Sequence, residues 1–136
     1  MTSWTYTDCG SPSDPLQVRK MEMNPDPPKP GTELRVHIKG TVQETIKDGA
    51  YVDVAIKAGL ITILRKTLNL GEEIRAGRLT SSPQPGLPFT PGDIDLIYTL
   101  QLPKEISQGR FTASCRAHTV DDHDLSCLDI NVGFDQ

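Results

Sequence analysis

Ile94, Leu96, Tyr98, Leu100 and Leu102 occupy every second position of one short run. A strand sends alternate side chains to opposite faces, so these five share a face and predict a β-strand. The same period recurs along the chain. Leu34, Val36 and Ile38 alternate with Arg35, His37 and Lys39. Val52, Val54 and Ile56 point one way, with Asp53 and Lys57 on the other side. Phe111, Ala113, Cys115 and Ala117 alternate with Thr112, Ser114 and Arg116, and Leu128, Ile130, Val132 and Phe134 form a last strand. Leu16, Val18, Met21 and Met23 also alternate, with a phase break near Lys20 that marks a bulge.

The punctuation between these runs is turn chemistry, not helix. Pro25 to Gly31 carries four prolines, which fix φ and lack the N–H that a ladder needs, so it is a stiff connector. Gly40 marks a bulge before Val42, and Asp48-Gly49, Ala58-Gly59 and Gln108-Gly109 are turns. Leu60 to Leu70 predicts a further strand, although Leu64 and Leu68 in its later half also fit a helical period. Residues 1–15, rich in Ser, Pro, Asp and Gly, read as an irregular arm. Residues 71–92 read as one long loop of the kind that often forms a functional rim. About seven strands in one domain, residues 1–136, predict an all-β, immunoglobulin-like two-sheet β-sandwich.

Composition narrows the function classes. The net charge is −4 and the sequence pI about 5.3, without the basic stripe of a nucleic-acid binder. No apolar run approaches the ~20 residues that span a bilayer. The start lacks a charged-then-apolar leader, which leaves an intracellular chain or one whose leader Met1 has replaced. Three cysteines, Cys9, Cys115 and Cys127, fit no paired zinc pattern.

Candidate chemistry is sparse. His118, Asp121, Asp122, His123 and Asp124 could ligate a metal, but Asp-rich segments are ordinary surface turns, and that reading is preferred. There is no G-x-S-x-G nucleophile motif and no glycine-rich phosphate loop. Glu72-Glu73 reads as a solvated rim. Cys115 shares a face with Phe111 and Ala113 and is expected to be a buried, inert thiol. A bond between Cys9 and Cys127 would pin both ends of the domain; two unrelated thiols are the other reading. Neither catalysis, nor a metal, nor a cofactor is expected.

In order and spacing, several segments resemble one family. They are Asp8-Cys9-Gly10; Pro25 to Gly31 followed by the Leu34 run; and Gly49-Ala50-Tyr51-Val52-Asp53-Val54 with Gly59-Leu60-Ile61. Leu102-Pro103-Lys104-Glu105-Ile106 follows, and then Ala117-His118-Thr119-Val120-Asp121-Asp122 running into Cys127-Leu128. Together they resemble the ML (lipid-recognition) family. It includes the Niemann–Pick type C sterol carrier, mite group-two allergens and the fungal phosphatidylglycerol/phosphatidylinositol transfer proteins, which the chain resembles most. The resemblance covers nearly the whole chain. It implies a sandwich whose sheets splay around a lipid, lipid transfer without covalent chemistry, and a secreted or vacuolar/lysosomal location. It also implies a disulfide between Cys9 and Cys127. A second family cysteine pair is missing, since Gly71 and Ser81-Ser82-Pro83 stand in its place.

Under that resemblance the apolar rows become a pocket lining: Val36, Ile38, Val52, Val54, Ile56, Ile61, Ile63, Leu96, Tyr98, Leu100, Phe111, Ala113, Val132 and Phe134. The expected partners are a phospholipid, sterol or fatty acid and transient donor and acceptor membranes. Nucleic acid is not expected. Lys57, Arg65, Lys66, Arg75, Arg78 and Lys104 are candidates to attract an anionic headgroup. The alternative is an immunoglobulin-like module that recognises protein or glycan through its loops.

Overall fold

Alternating apolar residues become strands along nearly the full chain in a computed structural model that describes residues 2–134. In chain order, the strands among these residues are β1 (Thr2–Asp8), β2 (Leu16–Asn24), β3 (Glu33–Val42), β4 (Tyr51–Ala58), β5 (Ile61–Asn69), β6 (Leu79–Ser82), β7 (Gly92–Gln101), β8 (Gly109–His118) and β9 (Asp124–Phe134). A short helix, α1 (Leu70–Arg75), connects β5 to β6. Two antiparallel sheets result, one ordered β1-β9-β8-β4-β5 and the other β2-β3-β7-β6. This is the expected two-sheet sandwich, with two more strands than the pattern announced.

Both extra strands correct an expectation. The arm at residues 1–15 is not irregular throughout, because β1 pairs with β9 from Thr2↔Phe134 to Asp8↔Leu128. Its alternation is carried by Trp4 and Tyr6 between small polar residues, which hid it. The 71–92 segment is not a bare loop either. It holds most of α1 and all of β6, whose Leu79 and Ser81 pair with Tyr98 and Leu96. The ambiguity in Leu60 to Leu70 resolves at Asn69. The strand runs to that residue, and its side chain then caps α1 by accepting from the Glu72 N–H at 3.0 Å.

The bulge near Lys20 is present, since the β2–β3 register shifts between Val18 and Lys20. Gly40 serves it from the facing strand. A Cβ there would lie 2.7 Å from the Gln17 carbonyl oxygen, so β3 needs a glycine where β2 crowds it.

Packing is uneven along the sandwich. At one end, Leu16, Val42, Ile46, Ala50, Phe89, Ile94, Ala117 and Leu125 form a dry core, with Ile46 and Phe89 only 1% exposed. A second cluster of Met21, Met23, Leu34 and Leu128, flanked by Trp4 and Tyr6, closes the edge where β2 lies against β9. At the opposite end, Met23 and Leu34 of the second cluster cover the four-stranded sheet, while the β4–β5 turn, Gly109 and Phe134 belong to neither cluster.

Cys9 and Cys127 form a disulfide across 118 residues of sequence, at the dry end. Closing so long a loop removes on the order of 4–5 kcal/mol of denatured-state freedom. Replacing both cysteines by serine is therefore expected to lower unfolding stability by about 4 kcal/mol in chemical denaturation. A loss under ~1 kcal/mol would show that the bridge constrains little.

Candidate functional site: an apolar space between the sheets

Register assigns each inner face. On β4, Val52, Val54 and Ile56 lie opposite Ala117, Cys115 and Ala113 of β8. Those continue through Leu128 and Ile130 of β9, and Phe111 of β8 meets Val132. Tyr6 and Trp4 of β1 complete the row. On the facing sheet, Val36 pairs with Tyr98, Ile38 with Leu96 and Leu34 with Leu100. Cross-strand partners share a face, so these rows confront each other between the sheets.

They bury one another only in part. Of the fourteen residues expected to line a pocket, twelve are half-buried, and Ile61 and Ile63 are exposed. None is as buried as the core at the dry end, although Val52 and Leu96 pack against that core, and Val36, Ile38 and Leu100 against the Met21 cluster. Phe111 and Phe134 meet edge to face, 5.9 Å between ring centres, near the open end.

A second bulge changes which β5 residues face inward. The register shifts between Ile56 and Lys57, leaving Ile63 unpaired while Leu64 and Leu68 lie opposite Ile56 and Val52. Lys66, opposite Val54, enters the same row and places a cation on the rim of an apolar face. No turn residue marks this bulge, so periodicity alone passed over Leu64, Lys66 and Leu68.

Along the β5–β6 edge the space is bounded by an ionic clasp. Glu73 of α1 was expected on a wet rim, yet it is 5% exposed. Helical geometry, not strand geometry, turns it inward. Arg78 donates from Nε and Nη2 to its two carboxylate oxygens at 2.9 and 2.6 Å, and the Tyr98 hydroxyl donates to Oε1 at 2.6 Å. Arg78 holds the Glu73 carboxyl down at about 2, against its own burial. Burial, then the bond to Glu73, pushes the Tyr98 phenol up to about 12. The clasp lies in the segment where the family resemblance places a second cysteine pair, so ionic bonds tie α1 to β6 and β7 there.

The remaining candidates fall outside this space or take no part in chemistry. Burial pushes the Cys115 thiol up to about 11, which leaves it a weak nucleophile. At the acidic turn, Tyr51 donates to Asp122 at 2.7 Å, and His118 lies 3.6 Å from Asp53 and 4.0 Å from Asp124. Among the described residues no three His, Cys, Asp or Glu side chains converge on one point. A groove of about 500 Å³ lies on the outer face of the five-stranded sheet, lined in part by Asp53, Lys57, Arg65 and Arg116. It is polar, unlike the space between the sheets. Arg78 is committed to Glu73, and Arg75 closes the last turn of α1.

Residues 3–134 match the family model of the ML domain. The chain belongs to the ML domain family. A phosphatidylglycerol/phosphatidylinositol transfer protein of Cryptococcus neoformans var. neoformans serotype D is 43% identical over 132 residues, 97% of this chain and 71% of that one. The Aspergillus oryzae protein of the same description is 36% identical over 128 residues, 93% and 70% of the two chains. Among solved structures, chicken MD-1 complexed with lipid IVa superposes with a TM-score of 0.62 at 17% identity, covering 97% of this chain and 89% of that one. A Niemann-Pick type C2 protein from Japanese carpenter ant gives 0.62 at 15%, covering 93% and 96%. These two likenesses establish the shared sandwich fold of this ML domain.

The clasp makes the ML domain's β5–β6 edge acid-sensitive. A carboxyl held below its ordinary value stabilises the fold above that value and loses its contribution as the pH falls toward the lowered one. Residues 70–82 are therefore expected to lose hydrogen-exchange protection between pH 4.5 and about 2, ahead of β3 and β7. Glu73→Gln should remove this pH step, and an unchanged step in that variant would assign it to another group.

Proposed function

We propose that this ML domain is a lipid carrier that encloses the apolar part of a phospholipid, sterol or fatty acid between its two sheets. The observation that carries the reading is the pair of confronting apolar rows left half-buried at one end of a sandwich whose other end is dry. Solid sandwiches interlock such rows at ~10 Å spacing. A hydrocarbon guest would restore the missing contacts, at roughly 0.8 kcal/mol per buried CH₂. Ala113 and Cys115 at the centre of the five-stranded sheet are small, and they leave width for a chain. The relatives named as phosphatidylglycerol/phosphatidylinositol transfer proteins, and the MD-1 complex with lipid IVa, support the same reading.

Val36, Ile38, Val52, Val54, Ile56, Leu96, Leu100, Phe111, Ala113 and Val132 would contact the hydrocarbon, and Tyr98, held by Glu73, would present its ring from the rim. Ile61, Ile63 and Phe134 would lie near the mouth. No covalent step is part of this function. A lipid moved this way leaves one membrane and enters another, so donor and acceptor membranes are its transient partners. The closed Cys9–Cys127 bridge supports an oxidising setting, outside the cell or in a vacuolar or lysosomal lumen.

Organic extraction of the purified protein followed by mass spectrometry is expected to return lipid at close to one molecule per chain. Val54→Trp should reduce uptake of a fluorescent fatty acid or sterol at least about tenfold while leaving the melting temperature within a few degrees, because the ring fills space and not a packed core. Marked destabilisation without bound lipid in the wild type would overturn the reading in favour of a solid sandwich that recognises partners through its loops.

A further inference from the structure

We propose that the tip of the β4–β5 hairpin is the surface by which this ML domain enters the interface of an anionic membrane, its open end leading. The proposal rests on the lipid-carrier reading for its purpose, and on separate observations for its site.

Leu60, Ile61, Ile63 and Leu64 are 101%, 68%, 56% and 51% exposed. Scattered apolar residues on a surface are ordinary, but four within five positions form a patch that water disfavours. Gly59 turns the chain at φ +61°, and a Cβ there would meet nothing within 4 Å, so the tip projects free of the rest of the protein.

Charge selects the partner. Lys57 and Arg65 on the outer face and Lys66 on the inner one flank the patch, and among the described residues none of them is in an ion pair. Asp53 is the hairpin's single acid, and its carboxylate already accepts from the Thr67 hydroxyl at 2.7 Å. Residues 51–69 therefore carry +2, while the other 117 residues, with 11 cations and 17 acids, carry −6. An anionic surface repels the body of this molecule and attracts its hairpin, which orients the approach.

A second copy of the chain is a poorer occupant. β5 is an edge strand, and antiparallel pairing with itself about its middle residue would set Arg65 against its own copy. Phospholipid headgroups offer the opposite charge, with an apolar layer beneath for Leu60 and Ile61. The position also serves the cargo. Ala58 lies opposite both Ile61 and Phe111, so the tip continues the inner apolar row, and Lys66 sits on that row's rim where a phosphate would pass.

Flotation with phosphatidylcholine vesicles, with and without phosphatidylglycerol, tests this. Wild-type protein is expected to bind the phosphatidylglycerol vesicles and to be released by about 0.5 M salt. Leu60→Asp should weaken that binding at least about tenfold, and Lys57→Glu by about fivefold or more, while lipid recovered by extraction from Leu60→Asp stays at the wild-type level. Leu60→Trp in a Trp4→Phe background places the lone tryptophan at the tip, and brominated phospholipid should quench it. Undiminished binding by Leu60→Asp, an unquenched tip, or no binding by the wild type would overturn the proposal. A wild-type dimer that Leu60→Asp splits would do the same by making the tip an interface between copies. Loss of vesicle binding in Leu60→Asp, with no extractable lipid in the wild type, would leave the docking surface standing and remove the carrier reading.

Discussion

Each sheet of this protein carries a full apolar face, and such a face is stable only against another apolar surface. At the dry end the two faces satisfy each other, with Ile46, Phe89, Val42 and Leu125 excluded from water. Toward the hairpin end they do not, and Ile56, Phe111, Val132 and Leu100 keep part of their surface open. The proposed function follows from that imbalance. A fold that left these rows bare for no purpose would forgo contacts that ordinary repacking could supply.

The boundaries of the space are chemically unlike. Where β2 meets β9 it is closed by sulfur-containing and aromatic side chains, Met21, Met23, Trp4 and Tyr6. At the dry end a covalent bridge ties β9 to the segment after β1. Along the β5–β6 edge the tie is ionic, with Glu73 gripped by Arg78 and Tyr98. The ion pair has one exposed partner, Arg78, whereas the opposite edge is held by the buried Met21 and Met23. The β5–β6 edge presents Lys66 and leads to the apolar tip, so the ionic tie, the free cations and the exposed hydrocarbon lie on one side of the molecule.

Much of the architecture was legible because period-two alternation survives wherever one face is buried and the other wet. Ile94 to Leu102 and Phe111 to Ala117 are strands for that reason. The misses share a cause as well. In β1 the inner row is only Trp4 and Tyr6, too short to register against the polar residues around it. In β5 a bulge at Ile63 switches the phase midway, so the residues that alternate in sequence are not those that share a face. Glu73 was misread because its neighbours were assigned no helix. On an extended chain it would lie in water, whereas one turn of α1 rotates it toward Tyr98. The family resemblance supplied what alternation could not, since a lined space and a filled core have the same pattern.

The disulfide and the driest packing share one end of the sandwich. That end is tied twice, by close packing and by a covalent bond. A guest held between the sheets would meet Ile46 and Phe89 as a floor, and that floor would cap the length of hydrocarbon it can bury.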